Sequence, residues 1–153
     1  SMAALKFMLL KVNPKTTMMF DPEASLRFEG DTGPYVLYAY ARISSMLRRA
    51  GAAVLAREVD WSVLGRAEEK ALAIRCAQYP EAMQKAAAGP DASLVTGYLL
   101  DLAKDFSKFY QACPVLAAET PALVRARLEL AARVRTLLRD GLAALTIGTL
   151  ESM

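Results

Sequence analysis

Tyr35, Tyr38 and Arg42 follow the turn-forming run Gly30-Asp31-Thr32-Gly33-Pro34 at positions i, i+3 and i+7. On a helix that spacing places all three on one face. Flat aromatic rings beside a guanidinium can stack unpaired bases and hold a phosphate. The run in front of them is suited to starting the helix. Gly30 and Gly33 permit backbone conformations closed to other residues, and Thr32 can cap the first free amides. Pro34 suits the first helical turn, where a missing N–H costs nothing. A plainer reading stands beside this one. Aromatic residues near a helix start commonly complete a core, and a tyrosine can do both, burying its ring edge while its hydroxyl or face meets a ligand. Arg42 likewise has competing intramolecular partners in Glu29 and Asp31.

Other chemistries find little support. The 153 residues include no histidine, which removes the commonest general base. There is no Gly-x-Ser-x-Gly turn after a strand. Gly30 to Pro34 lacks the lysine and the preceding strand of a phosphate loop. Metal is rejected, because a zinc site needs about four ligands and only Cys76 and Cys113 are cysteines. In a chain with an ample core those two read as reduced, buried thiols rather than as a disulfide. No apolar run approaches the roughly 18–20 residues of a membrane span, and no secretory leader opens the chain. The formal net charge of +3 permits a phosphate-facing patch without announcing one, since an evenly mixed surface gives the same balance.

The elements that must position the tyrosine–arginine face are all helical. The hydrophobic share is 54%, and period-2 alternation is scarce, so no substantial sheet is predicted. Ser1-Met2 reads as a tag remnant. Residues 3–31 read as a connecting segment, with a short helix over Ala3–Leu10 and one turn around Pro22–Leu26, ahead of a domain over 32–153. The first full helix is predicted from Pro34 to Ala50, with Gly51 as its stop. A second helical region begins near Asp60-Trp61 and ends around Tyr79; in it Glu68-Glu69-Lys70 reads as a solvated face, with Ala71, Leu72 and Ile74 packing inward. Pro80 opens a short helix to Ala88. Asp91 caps the clearest amphipathic helix, on which Val95, Tyr98/Leu99, Leu102, Phe106, Phe109 and Cys113 keep a 3–4 spacing. Thr120-Pro121 launches the last, to about Leu145, with Leu128, Ala131/Ala132, Val134/Leu138 and Leu145 buried. Its arginines Arg125, Arg127, Arg133, Arg135 and Arg139 read mostly as a solvated face, with one or two free for phosphates. The expected architecture is an all-α bundle of about four to six helices.

Residues 30–42 resemble the Gly-x-Thr-Gly-Pro-Tyr-x-x-Tyr-Ala-x-x-Arg run of one known family, the C-terminal anticodon-binding (DALR-type) domain of class I arginyl-tRNA synthetases. The resemblance continues through Ile43 to Arg49, through Tyr98 to Ala103 with Phe106, Phe109 and Tyr110, and through Arg127 to the closing Met153. Upstream, Ala4 to Phe7 and Phe20-Asp21 look like the segment joining the catalytic core to this domain. The match therefore runs over nearly the whole chain, in order. It has departures: Tyr40 stands where many relatives carry histidine, Leu37 where a polar residue is common, and Gly97 where relatives often have a polar residue such as asparagine. None removes the tyrosine–arginine face.

The resemblance implies a domain that grips the anticodon loop of arginine tRNA, with Tyr35, Tyr38, Arg42, Tyr110 and Met153 as the residues expected to meet RNA. By periodicity Phe106 and Phe109 belong to the core, whereas Tyr110 sits one position off the apolar line. The family's activity needs a His-x-Gly-His element and a Lys-Met-Ser-Lys-type loop, and neither occurs here. The chain is therefore expected to bind and not to catalyse, with no cofactor of its own. The resemblance places ATP and arginine with the parent ligase, and implies a cytoplasmic, monomeric parent with tRNA as partner and neither DNA nor a membrane. The alternative is a helical protein-interaction module without RNA binding, which predicts a buried tyrosine face.

Overall fold

Helix α3, Gly33–Ala50, begins where the turn chemistry places it. Thr32 Oγ1 accepts from the Tyr35 amide at 3.3 Å, so one orphan N–H of the first turn is satisfied. Pro34 occupies the first turn, and Gly51, at φ 78°, ends the helix. The computed structural model describes residues 2–13, 15–17, 19, 21–27, 30–89 and 91–149. Among them the remaining elements are α1 (Met2–Lys11), α2 (Pro22–Ser25), α4 (Ala52–Leu55), a 3₁₀ turn (Trp61–Val63), α5 (Ala67–Ala77), α6 (Tyr79–Ala88), α7 (Ala92–Ala112) and α8 (Pro121–Ala144). The described residues contain no strand, and the fold is all-α. Of the α-helices, α1, α3, α5, α6, α7 and α8 are ten residues or longer.

Helix α7 is the centre of the bundle. It packs against α1, α3, α5, α6 and α8, and Val95, Leu99, Leu102, Phe106, Phe109 and Cys113 lie buried along it at the predicted spacing. Asp91 caps it by accepting from the Ser93 amide at 2.9 Å. Thr120 does the same for α8, accepting from the Leu123 amide at 3.2 Å. Helix α1 packs on α3 and α7 with Ala4 and Phe7 buried. Gly33 is what permits that approach: a Cβ there would lie 2.7 Å from Phe7 Cβ. Its role is thus steric, within a regular helix, whereas Gly30 adopts the left-handed φ of 80° expected of the turn.

Several expectations for the middle of the chain are corrected. The region from Trp61 to Tyr79 is not one helix: Asp60 caps only the 3₁₀ turn, through the Ser62 amide, and α5 starts later, at Ala67. Glu69 is not on a solvated face. It is 1% exposed and paired with Arg127, itself 2% exposed. Ile74 and Ala71 face outward, Ile74 at 60% exposure, while Leu72 is buried. On α8, Arg125 and Arg127 are buried rather than solvated. Arg125 donates from Nε to the carbonyl oxygen of Arg57 at 2.8 Å and from Nη1 to Glu129 at 3.0 Å. Their charge alone reads as solvated; tertiary partners are what make a buried charge tolerable here.

Candidate nucleic-acid interface

Tyr38 and Arg42 are one helical turn apart on α3, and Tyr110 reaches them from the last turn of α7. The guanidinium carbon of Arg42 lies 4.5 Å from the Tyr38 ring centroid and 4.8 Å from that of Tyr110. Arg42 also donates from Nη2 to the Tyr38 hydroxyl oxygen. Both tyrosines keep open surface, Tyr38 at 40% and Tyr110 at 38% exposure. Tyr110 is supported from within the bundle by Phe106, ring centroids 5.9 Å apart, and Phe106 in turn lies against Phe109. The one-position offset of Tyr110 from the apolar line is therefore what brings it to the surface beside α3.

These three residues line a groove of about 490 Å³. Its α3 wall continues through Ser45, Arg48 and Arg49, and its far wall is the segment 114–117 that follows α7. No acidic side chain is among its described lining residues. Among the described residues no carboxylate pairs with Arg42, whose partners are the two tyrosines. Asp31, a competing partner on sequence grounds, is engaged elsewhere: it pairs with Lys104 at 2.5 Å and with Lys11 at 3.7 Å. The Lys104 hydrogen bond holds the Asp31 carboxyl below its ordinary range against the opposing effect of desolvation. Glu29, the other competitor, lies outside the described residues.

The other candidates distribute differently. Tyr35 is half-buried, packed against the core, and does not line the groove. Met153 lies outside the described residues. Sequence reasoning missed Ser45, Arg48, Arg49 and the 114–117 wall. Arg48 and Arg49 carry a signal, two adjacent arginines at the end of α3, but nothing in the sequence places them beside Tyr110. The wall after Pro114 carries no local signal.

A second groove, about 530 Å³, lies between Trp61, α5 and α8. There the guanidinium of Arg133 sits 5.0 Å from the Trp61 ring centroid. Cys76 lines it, and burial pushes this thiol up to about 11, so it is protonated and unreactive near neutrality. Cys113 is buried, and both thiols are free. No group of three or more potential metal ligands occurs among the described residues, and no described helix is long and apolar enough to cross a membrane.

An all-α bundle that opens an arginine–tyrosine groove between α3 and the end of α7 defines a class of helical module. A family model described as the DALR anticodon binding domain matches residues 36–153, and the chain belongs to that family. Over its whole length it is 41% identical to the arginine–tRNA ligase of Treponema pallidum subsp. pallidum, covering 27% of that protein. It is 40% identical to the arginine–tRNA ligase of Vibrio parahaemolyticus, covering 26%. The arginyl-tRNA synthetase of Thermus thermophilus superimposes over 99% of this chain, and 26% of its own, with a TM-score of 0.92 at 37% identity. The chain thus spans about a quarter of the length of the relatives it matches.

Proposed function

We propose that this chain is the anticodon-binding domain of an arginine–tRNA ligase and that it grips the anticodon loop of arginine tRNA in the Tyr38–Arg42–Tyr110 groove. One observation carries the reading: two open tyrosine rings flank a guanidinium in a groove that also holds Arg48 and Arg49 and no described carboxylate. Unpaired bases present faces and edges that A-form helices deny, and aromatic rings stack on them with little regard to sequence. Arginines along the rim neutralise the backbone that carries those bases. Tyr38, Arg42 and Tyr110 take the base-facing part. Tyr35 supports the helix start from its half-buried position, and Met153 remains a candidate contact from the tail.

The chemistry of the parent follows from the same family. It joins arginine to its tRNA using ATP, through groups that this sequence does not contain; this domain contributes binding. A monomeric, cytoplasmic parent belongs to the same proposal, with tRNA and neither DNA nor a membrane as partner. The competing reading, a protein-interaction module without RNA, requires a buried tyrosine face, and the exposure of Tyr38 and Tyr110 speaks for the RNA reading.

The test is a titration of the domain with the anticodon stem-loop of an arginine tRNA and with a stem-loop of altered anticodon, at two salt concentrations. Tighter binding to the arginine stem-loop is expected. Tyr38→Ala should weaken it by about 1–3 kcal/mol, roughly 5- to 150-fold. Unchanged affinity in Tyr38→Ala at both salts would remove the stacking role. Equal binding of both stem-loops, erased by salt, would leave only charge attraction.

A further inference from the structure

Beneath the far wall of the groove lies the buried pair Arg127–Glu69, with Nε to Oε1 at 2.6 Å. The second carboxylate oxygen, Oε2, accepts from the amides of Gly65 and Arg66, both at 2.8 Å. Arg127 also donates from Nη1 to the carbonyl oxygen of Pro114 at 2.6 Å. Pro114 is the first residue of the 114–117 wall. Nearby, Arg66 Nη1 donates to the carbonyl oxygen of Ala112 at 3.2 Å. Two arginines thus hold the carbonyls on either side of Cys113, directly after the turn of α7 that carries Tyr110. The Ala112 carbonyl closes α7, where carbonyls have no intrahelical partner, and finds one in Arg66, whose backbone amide Glu69 holds, while the Pro114 carbonyl just beyond finds one in Arg127, which Glu69 pairs.

A buried ion pair is seldom more stabilising than an apolar pair of the same volume. What it supplies is direction. The guanidinium fork binds a carboxylate and a carbonyl at once in fixed geometry, which a lysine ammonium does not reproduce. We propose that Arg127 and Glu69 are positioning residues of the RNA groove: they hold the segment after α7, and with it Tyr110, at a set distance from α3, without touching RNA. This rests on the anticodon-binding reading above.

The test compares Arg127→Lys with Leu142→Ala, a core truncation about 22 Å further along α8, at a temperature well below the melting point of both. Arg127→Lys is expected to lower affinity for the arginine anticodon stem-loop tenfold or more and to leave the slope of log affinity against log salt unchanged. It should also speed amide exchange at Cys113 and residues 115–117. Leu142→Ala should stay within twofold in affinity, with those amides unaffected. Affinity and exchange in Arg127→Lys matching Leu142→Ala would overturn the proposal. So would a shallower salt slope, which would make Arg127 a phosphate contact. If the unaltered domain binds neither stem-loop, the anticodon reading fails by itself, and the exchange comparison alone decides the positioning role. Should Arg127→Lys not fold, Glu69→Gln, which keeps the volume and an acceptor for Arg127, is measured in the same way.

Discussion

Ser44 shows how closely single residues answer to their surroundings. It lies on the buried side of α3, and its hydroxyl has no hydrogen-bond partner among the described residues. A buried, unpaired hydroxyl costs about 1–3 kcal/mol, and alanine is the better helix former. Ser44→Ala is therefore expected to raise stability by about 1 kcal/mol, a rise in Tm of roughly 2–4 °C for a chain of this size. Thermal unfolding followed by circular dichroism checks it; a fall in Tm would mean that the hydroxyl does bond in solution. Arg42 presents the opposite case, a charge whose partners are aromatic. Its neighbours among the described residues are two rings and a hydroxyl rather than a carboxylate, so little among them competes with an incoming phosphate for its charge.

At the scale of elements, the approach of α1 to α3 depends on one missing methyl group. A Cβ on Gly33 would meet Phe7 Cβ at 2.7 Å and Cγ at 3.1 Å. Neither atom is the far end of a flexible side chain, and Phe7 is buried. Gly33→Ala is expected to push the two helices apart at a cost of about 1–3 kcal/mol, offset only slightly by the better helix propensity of alanine. A melting point equal to that of the unaltered chain would show that α1 does not hold this position. The helix starts behave more locally. Thr32, Asp91 and Thr120 each cap the helix that the sequence assigns to them, because a cap needs only its own side chain and an amide two or three residues on.

For the molecule as a whole, burial has a consequence at alkaline pH. The Cys76 thiol is pushed from an ordinary value of 9.0 up to about 11, mainly by desolvation. Burial raises the Tyr98 phenol in the same direction, and its hydroxyl is tied to the Arg75 carbonyl oxygen at 2.6 Å. Both groups are neutral when protonated, so the unfolded chain ionises first. The Cys76 contribution is intact below pH 9 and is lost as pH rises between about 9 and 11, by up to roughly 2 kcal/mol, while that of Tyr98 begins to be lost only above its ordinary value of 10.0. Melting points measured from pH 8 to 11 should fall, and fall less steeply in Cys76→Ala. Parallel curves would place the alkaline loss elsewhere. On the acid side Asp31 has the opposite sign. Its carboxyl is depressed by Lys104, so its small, solvent-screened contribution is present above about pH 4 and fades below it.

What the sequence determined by itself was whatever rests on neighbours along the chain. The all-α class, the caps, the span of α3, the amphipathic stripe of α7 and the family resemblance in residues 30–42 all depend on local periodicity and turn chemistry. So does the shared face of Tyr38 and Arg42, which is a property of one helix. The tertiary structure alone decided which of those faces is a surface. Tyr35 shares the helix with Tyr38 yet packs half-buried on the core, because α1, α3 and α7 meet at that end of α3. Tyr110 joins Arg42 from a distant part of the sequence, and the 114–117 wall joins both. Glu69 and Arg127 read as solvated charges from composition, and only the contact between α5, α8 and the end of α7 makes them a buried pair. Hydrophobic periodicity says which side of a helix turns inward; it does not say what that side will meet, and a buried charge is stable only when what it meets is a partner.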